Sequence, residues 1–348
     1  MQKHKILHLI TSLNIGGTEK HVLALVKNLS SKYDMSVAYL KERGNTSDEI
    51  EKAGVRVFKT DLFTLIKYLK RNEINLIHTH LYRANILGRI AGKIANTPAI
   101  ISSQRSIDGW KKQRHIWADR FTSRYCDLII ANSETAKDIL IKREKISARK
   151  ITVIYNGVVP TTSHSLLTTS CFTVGYVGRL HNEKGVCLLP DIAKKVIDKN
   201  ANFKFLIIGD GPEKEILEKR IRQYNLGEKV VFTGWITVPE NIYSLFDIIL
   251  MPSAEESFPQ ALLEAFSYGI PAVAADVGGV KELVEDGKSG IIVKTNKADD
   301  FAAAILKIAD NGYRQFCENA KIRSLNFSVE KMISSMDDIY ENILSKAR

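Results

Sequence analysis

Residues 252–266 read PSAEESFPQALLEAF and place two glutamates, Glu256 and Glu264, around a proline-started apolar segment. The apolar run Ile248–Met251 directly before this stretch predicts a strand, so the segment reads as a strand, a loop and a helix. Pro259 fits the first helical turn, because its missing N–H has no partner there in any helix. The stretch therefore predicts an α/β unit with carboxylates at and inside the start of its helix.

These two carboxylates indicate the kind of ligand that such a unit would bind. The N–H groups at the start of a helix attract anions, but Glu256 beside them would repel a phosphate. Carboxylates only accept hydrogen bonds, and a vicinal diol offers two donors. A ligand with central phosphates and a diol at each end fits both demands, which describes a nucleoside diphosphate sugar. The alternative is that both glutamates are solvated charges near a helix end.

The same alternation of short apolar runs and amphipathic segments continues along the chain. Six strand-like runs lie between Lys5 and Ala131, and six more between Phe172 and Val293. Such alternation predicts the α/β class, with parallel sheets covered on both faces. The polar, Ser/Thr-rich residues 160–170 separate the two sets and are the expected linker. We predict two doubly wound Rossmann-like domains, residues 1–160 and 165–330, facing each other across a cleft.

Two loops after predicted strands carry residues suited to a diphosphate. Residues 177–185, VGRLHNEKG, place Arg179 and Lys184 before a predicted helix that begins near Gly185. Two fixed cations suit a leaving group whose negative charge grows as its bond breaks. Gly16 and Gly17 follow the first strand and allow close approach of a ligand to the backbone. Each feature alone also fits an ordinary surface loop, and no GxGxxG fingerprint follows any predicted strand.

Two more candidates lie at neighbouring strand ends of the first half. His80 is near the end of the strand in LIHTH, and Arg105 follows the next strand in ISSQRS. We expect both to contact the acceptor or the transferred sugar. A hydrogen-bonded structural histidine is the alternative for His80. Arg105 stays protonated, so it would bind charge or orient the substrate and would not act as a base.

The basic charge is concentrated in the first half of the chain. Residues 1–160 contain 28 Lys and Arg against 14 Asp and Glu, a balance of +14, and the remainder has a balance of −3. This asymmetry predicts an anionic partner. No nucleic-acid motif accompanies it, so an anionic membrane surface or a charged lipid-linked acceptor is favoured. Four cysteines without CxxC or zinc spacing indicate a reducing, cytoplasmic setting, and no apolar run reaches the ~18 residues of a membrane span.

Residues 109–125, GWKKQRHIWADRFTSRY, interleave aromatic and basic residues at mostly helical spacing. A basic helix with tryptophans can lie in a membrane interface. The alternative, favoured for Trp117 and Phe121, is an aromatic stripe packed on the sheet. The segment contains these further candidates for lipid contact: Trp110, Lys111, Lys112, Arg114, Arg120 and Arg124.

Taken together, these segments resemble the family-four glycosyltransferases, retaining enzymes with the GT-B fold. The resemblance rests on the glycine pair after the first strand and on the following segments, which run in family order to about Val293: IHTHLYRAN, ANSE, IYNGV, GRLHNEKG, IGDGPE, FTGW, PSAEESFPQALLEAFSYGIPAVAADVGG and EDGKSGIIV. The glutamate pair with seven residues between is the most specific element.

The resemblance implies a role for each matching residue. Arg179 and Lys184 would bind the donor diphosphate, Glu256 the hydroxyls of the transferred sugar, and Glu264 the ribose. The remaining donor contacts that it implies are Gly16 and Gly17 over the phosphates, Gly234 and Trp235 against the base, and the backbone of Phe258 and Pro259 on the distal phosphate. It also implies that the last helix, residues 331–348, packs back on the first, acceptor-binding domain, and that the second domain binds the donor.

The implied reaction is transfer with retention from a nucleoside diphosphate sugar, with UDP the expected nucleotide, to a glycan or lipid-linked acceptor. No Asp-x-Asp occurs, so no metal and no cofactor is expected. Bacterial surface polysaccharide or lipopolysaccharide assembly, in the cytoplasm or peripherally at the inner face of the membrane, is the expected setting. A sugar-nucleotide epimerase on the same fold and a non-catalytic subunit of a glycosylation complex are the alternatives.

Overall fold

The computed structural model describes residues 3–14, 16–161, 171–234 and 242–346. The chain forms two compact units, and each is described by itself. The first domain runs up to Gly157 and includes the C-terminal segment from Val329, and the second domain is Val158–Ser328. Both are α/β domains of the predicted Rossmann-like type.

The strands in the described ranges are β1 (Lys5–Ile10), β2 (Asp34–Tyr39), β3 (Arg56–Lys59), β4 (Leu76–His80), β5 (Ala99–Gln104), β6 (Leu128–Ala131), β7 (Ile151–Val153), β8 (Phe172–Val177), β9 (Phe203–Ile208), β10 (Val230–Gly234), β11 (Ile248–Met251), β12 (Ala272–Ala275) and β13 (Gly290–Val293). The helices are α1 (Gly17–Leu29), α2 (Thr46–Lys52), α3 (Leu62–Arg71), α4 (Tyr82–Ala95), α5 (Gln113–Thr122), α6 (Glu134–Lys142), α7 (Leu189–Lys199), α8 (Lys214–Gln223), α9 (Gln260–Ser267), α10 (Val280–Leu283), α11 (Ala298–Asp310), α12 (Tyr313–Ser324) and α13 (Val329–Lys346).

The first domain is built on a parallel sheet with the order β3-β2-β1-β4-β5-β6-β7. Strands β1 and β4 are almost entirely buried, as parallel strands covered on both faces must be. The order reverses direction next to β1, and the carboxyl ends of β1, β4 and β5 lie together there. Helix α13 packs against α1 and contributes Met336 and Tyr340 to the core of this domain.

The second domain has a parallel sheet with the order β10-β9-β8-β11-β12-β13. Its strand order reverses next to β8, between β8 and β11, where an open α/β sheet binds its ligands beyond the carboxyl ends. Val158 begins this domain: its N–H donates to the carbonyl of Phe327, at 2.9 Å. Most of the predicted linker, residues 162–170, lies outside the described residues.

Three local expectations were wrong. The short strand β7 was not predicted, because its three residues are too few to show a periodicity. The helix after β8 begins at Leu189 and not near Gly185, since two short 3₁₀ turns come first. Pro259 precedes α9 in extended backbone, so the helix begins one residue later, at Gln260.

Candidate functional site

Two loops of the second domain meet at the carboxyl ends of β8 and β11. Gly185 has a φ of +65°, and a Cβ added there would lie 1.8 Å from the carbonyl oxygen of Pro252. Only glycine fits this conformation and this contact. The N–H of Ala254 also donates to the carbonyl of Glu183, at 3.0 Å. The backbone therefore holds the loop that carries Arg179 and Lys184 directly against the loop that carries Glu256.

Lys184 and Glu256 meet across these loops. The Nζ of Lys184 lies 2.7 Å from Oε1 of Glu256, and the two side chains are 23% and 12% exposed. The hydroxyl of Ser253 donates to the same oxygen, at 2.9 Å. Each charge thus has a partner and still reaches the surface. The structure brings together a cation and a carboxylate that are 72 positions apart in sequence.

Arg179 occupies the start of the first of these loops and is more exposed. Its guanidinium lies 2.5 Å from Oε1 of Glu183, and its side chain is 62% exposed. The hydroxyl of the buried Tyr176 donates to the carbonyl of Arg179, at 2.9 Å, and fixes the backbone there. Burial, and secondly the charge of Glu256, raise the pKa of Tyr176, so it is a neutral donor.

Glu264 lies on the second turn of α9 and is held by two donors. The hydroxyl of Tyr243 donates to its Oε2 at 2.6 Å, and the amide of Gln260 donates to its Oε1 at 3.2 Å. Burial, followed by the charge of Glu264, raises the pKa of Tyr243 well above its ordinary value. These two bonds fix the position of the carboxylate on α9.

The backbone before α9 supplies the other predicted contacts of this loop. Phe258 is buried, with its ring 5.2 Å from that of Phe327, and Pro259 caps the helix in extended backbone without a side-chain hydrogen bond. The buried ring of Phe258 therefore anchors the loop that precedes α9.

Gly234 is the last residue of β10 and lies beside Gly209, which directly follows β9. Its φ is +70°, and its carbonyl accepts a hydrogen bond from the N–H of Gly209 at 3.1 Å. Trp235, the predicted partner of Gly234 against the base, lies outside the described residues.

The first domain holds the other predicted residues at the carboxyl ends of β1, β4 and β5. Gly16 precedes α1, and a Cβ there would lie 2.5 Å from the carboxylate of Glu19; Gly17 is the first helical residue. Arg105 is half-buried and donates to the side chain of Asn156. Burial lowers the pKa of Arg105 to about 9, which the charge of Glu19 opposes. The guanidinium therefore remains protonated at neutral pH.

His80 lies in a buried group of imidazoles. Its Nε2 is 3.0 Å from Nδ1 of His8, and its ring is 4.2 Å from that of His78 and 6.0 Å from that of His21. His78 contacts the hydroxyls of Tyr340 and Ser103, at 2.7 and 2.8 Å. We call His8, His21, His78 and His80 the histidine cluster. All four side chains are almost or completely buried, so His80 presents no surface to a substrate in this structure.

Three members of the histidine cluster have the grouping of metal ligands. Ring nitrogens of His8, His78 and His80 lie within 4.8 Å of one another, a grouping that the sequence analysis did not expect. Both nitrogens of His78 already have hydroxyl partners, so this imidazole could bind a cation only by giving up one of them. The positive charge of Arg105 also acts on His78 and His80.

The basic helix α5 differs from its prediction in two respects. Lys111, an expected lipid contact, is buried, and its Nζ lies 2.7 Å from Asp119, 3.0 Å from Glu144 and 3.2 Å from Asp108. Trp117 and Phe121, expected to pack on the sheet, are 66% and 49% exposed. Asp108 and Asp119 lie near Lys111 in sequence, whereas Glu144 comes from a later segment, and the helical spacing did not predict that all three would meet this lysine.

Several contacts of the site had little or no signal in the sequence. Ser253, three residues before Glu256, is the one that its position alone could have suggested. Tyr176, Tyr243 and Glu183 act on the predicted residues through the fold, and their spacing to those residues follows no motif.

Comparison with family models decides the class of the protein. Residues 15–162 match the model described as Glycosyltransferase Family 4, and residues 165–323 match glycosyl transferases group 1. The chain is a glycosyltransferase of this GT-B group. The match of both models in this order agrees with the two Rossmann-like domains of the structure.

Two similar proteins with named activities are bacterial. This glycosyltransferase is 27% identical over 304 residues to the UDP-Gal:alpha-D-GlcNAc-diphosphoundecaprenol alpha-1,3-galactosyltransferase of Escherichia coli, covering 80% of this chain and 78% of the relative. It is 26% identical over 359 residues, 93% of this chain and 95% of the relative, to a Campylobacter jejuni alpha-1,4-N-acetyl-D-galactosaminyltransferase named for a PP-undecaprenol acceptor. The crystal structure of Anabaena HepE in complex with UDP-glucose shares the fold, with a TM-score of 0.88, 24% identity and coverage of 97% of this chain and 99% of the other.

Proposed function

We propose that this glycosyltransferase moves a sugar from UDP to a hydroxyl of a glycan or lipid-linked acceptor, with retention of the anomeric configuration. The observation that supports the proposal is the contact of Lys184 with Glu256. Lys184 lies in the loop after β8, Glu256 lies in the loop before α9, and Glu264 lies on α9 itself. A cation for phosphate and carboxylates for diols therefore belong to one site. The relatives named for UDP-galactose and diphosphoundecaprenol support the donor and acceptor classes.

Each residue then has a defined task. Lys184 and Arg179 bind the diphosphate and stabilise the charge that develops on it as the glycosidic bond breaks. Glu256 accepts hydrogen bonds from the transferred sugar, and Glu264 from the ribose. The acceptor hydroxyl attacks from the side that the diphosphate leaves, and a phosphate oxygen of the leaving group takes its proton. No protein nucleophile takes part, so the enzyme acts by positioning and by charge.

The remaining predicted residues complete the donor site in this proposal. The backbone at Phe258 and Pro259 meets the distal phosphate, and Gly16 and Gly17 lie over the phosphates. Gly234 and Trp235 lie against the base. His80 and Arg105 serve the acceptor side, with His80 acting from the interior as a support and Arg105 as a fixed charge.

The cellular setting follows from the acceptor. We propose assembly of surface polysaccharide or lipopolysaccharide in bacteria, with the enzyme in the cytoplasm, peripherally at the inner face of the membrane. Within the described ranges, every helix is too short or too polar to cross a bilayer. The expected mode of attachment is therefore through a surface, which the basic balance of residues 1–160 favours.

The experiment that tests this function is an in vitro transfer assay. Purified protein is incubated with UDP-glucose, UDP-galactose, UDP-GlcNAc or UDP-GalNAc and a diphosphate-polyprenol-linked GlcNAc, and the product linkage is read by NMR. We expect transfer from one of these donors with an α-linked product. A β-linked product would contradict retention, and conversion of the UDP-sugar to its epimer without transfer would favour the epimerase alternative.

We further propose that transfer needs no metal ion and no other cofactor. Lys184 and Arg179 supply the positive charge that a metal supplies in other transferases. Activity should therefore survive dialysis against EDTA. Loss of activity that Mg²⁺, Mn²⁺ or Zn²⁺ restores would contradict this proposal, and the histidine cluster would then be the first place to search for the ion.

A further inference from the structure

Helix α5 exposes both of its large aromatic side chains and buries two of its polar ones. Trp117 and Phe121 are 66% and 49% exposed, whereas Asp119 and Thr122 of the same helix are 1% and 4% exposed. A helix on the surface of a soluble domain normally has the opposite orientation. The exposed pair lies one turn apart, so the two rings share one face.

Buried ion pairs fix this inverted orientation. Asp119 lies 2.5 Å from the guanidinium of Arg89 and 2.7 Å from the Nζ of Lys111, and Lys111 also meets Glu144. Turning α5 to bury Trp117 would separate these charges inside the domain. Removal of one partner from a buried pair is strongly destabilising, so the inverted orientation is a property of the folded domain.

The exposed face of α5 is also basic. At 100° per residue, Arg114, Trp117, Arg120 and Phe121 fall within one arc, and Arg124 follows directly after the helix. We call these five residues the outward face. The guanidinium of Arg120 lies 5.9 Å from the ring centre of Trp117, and that of Arg124 lies 4.8 Å from Phe121. The one acid of α5, Asp119, points into the domain, so no carboxylate of the helix offsets these charges.

The aromatic surface extends before the helix. Trp110 is 57% exposed and rests edge-on against Tyr82 and His115, with ring centres 5.3 and 5.2 Å apart. Its indole N–H lies 3.3 Å from Asp108, so the ring is held in place at the surface. Two exposed tryptophans thus flank the first turns of α5.

We infer that the outward face of α5 seats the protein on an anionic lipid bilayer. Tryptophan favours the interface of a bilayer, where one part of the ring is apolar and the other is wet. The arginines beside the rings match the negative headgroups, and their long stems allow the charge to stay at headgroup level while the rings enter. This charge complementarity favours an anionic lipid surface as the partner of the outward face. The inference rests on this surface alone and not on the proposed reaction.

The test is sedimentation of the full chain with phosphatidylcholine vesicles that contain an increasing fraction of phosphatidylglycerol, at low and at high salt. We expect binding to rise with the anionic fraction and to fall at high salt, because the Debye length shrinks to about 3 Å at 1 M. Each engaged arginine contributes roughly fivefold, so replacing Arg114, Arg120 and Arg124 with Ser should weaken binding about a hundredfold. Trp117→Ser with Phe121→Ser should abolish penetration, read as lost quenching of tryptophan by brominated lipid.

The matched control is α8, a helix of the same length, which also exposes an apolar residue and two cations. Its variant Ile216→Ser, Lys219→Ser, Arg222→Ser should bind vesicles like the unchanged protein. All variants change exposed side chains and should therefore fold. An unaltered thermal melting curve for each variant checks this. Equal sedimentation with neutral and anionic vesicles overturns the inference, as does equal loss in the α8 variant. The vesicles carry no acceptor, so these outcomes are independent of whether the transfer assay succeeds.

Discussion

Lys184 and Glu256 neutralise each other in the second domain, and this contact determines what each can offer to a substrate. The pair is partly exposed, at 2.7 Å, and Ser253 donates to the same carboxylate oxygen. In the proposed function, a diphosphate would compete with Glu256 for Lys184, because it carries more negative charge than one carboxylate. Glu256 would then keep its bond to Ser253 and would be a stronger acceptor for sugar hydroxyls. We therefore expect donor binding and preparation of the sugar contact to be coupled.

Lys184→Ala should lower kcat about 10²–10³-fold, or about 3–4 kcal/mol of transition-state stabilisation, because one preorganised charge donor to the leaving group is lost. The affinity for the UDP-sugar should fall less, since this ground state carries less charge at the breaking bond. Steady-state kinetics and calorimetric titration of the UDP-sugar without acceptor check both. The control is Lys194→Ala, on the exposed face of α7. Near-normal turnover of Lys184→Ala would contradict the prediction and show that Lys184 is an ordinary surface charge.

Tyr243→Phe should weaken UDP binding while leaving kcat nearly unchanged. The hydroxyl of Tyr243 holds Glu264 at 2.6 Å, and Glu264 is proposed to bind the ribose, which does not react. Loss of a buried hydrogen bond to a charged group costs about 1–3 kcal/mol, which corresponds to roughly 5- to 150-fold in affinity. Tyr224→Phe, whose hydroxyl bonds Asp191 on α7, is the control. An unchanged KM for the donor in Tyr243→Phe would show that Glu264 does not depend on this bond.

The proximity of Lys184 and Glu256 could be anticipated from the sequence, because both lie in loops that follow strands of one parallel sheet. The roles proposed for them and for Glu264 stay predictions. Tyr243 had no such signal, because its hydroxyl reaches Glu264 only after β11 and α9 pack together. His80 was predicted near a strand end, but it is buried against His8, and the adjacent His78 bonds Tyr340 from the far end of the chain.

At the level of elements, strands were predicted more closely than the orientation of helices. The bounds of β1, β6, β8, β9, β11 and β12 agree with the apolar runs of the sequence, because a buried parallel strand is apolar on both faces. The orientation of α5 could not be predicted in this way. Its inward face is decided by Arg89 of α4 and by Lys111, which lies two residues before α5. Their ion pairs with Asp119 outweigh the preference of aromatic rings for the interior.

Lys111→Met should destabilise the first domain by about 3–5 kcal/mol, because it leaves Asp119 and Glu144 buried with one cation fewer. Burial alone would raise the pKa of Asp119, but Arg89 and Lys111 outweigh it and lower that pKa to about 2. Urea unfolding at neutral pH checks the change. Lys112→Met, an exposed neighbour, should change the free energy of unfolding by no more than about 0.5 kcal/mol. Equal effects of the two substitutions would contradict the role of the buried network.

At the level of the whole molecule, the histidine cluster should make the stability of the first domain more sensitive to low pH than that of the second. Burial lowers the pKa of His8 to about 3 and those of His21, His78 and His80 well below the ordinary 6.5. Arg105 and the neighbouring imidazoles lower the pKa values of the last three further. Below about pH 6.5 the unfolded chain therefore binds protons that the folded first domain excludes, and the stability of this domain falls as the pH decreases.

The expected loss is large enough to separate the domains. Each excluded proton costs about 1.4 kcal/mol per pH unit, so four histidines remove roughly 5–6 kcal/mol per unit, against a usual total of 5–15 kcal/mol for a domain. We expect the first domain to unfold near pH 5 while the second stays folded, read by urea titrations with peptide-resolved hydrogen exchange. His8→Gln should reduce the slope of stability against pH by about one proton, and His181→Gln in the second domain should not. Unfolding of both domains over the same pH range would contradict this expectation. The described part of the second domain has no such cluster of buried imidazoles, so its stability should not fall in this way.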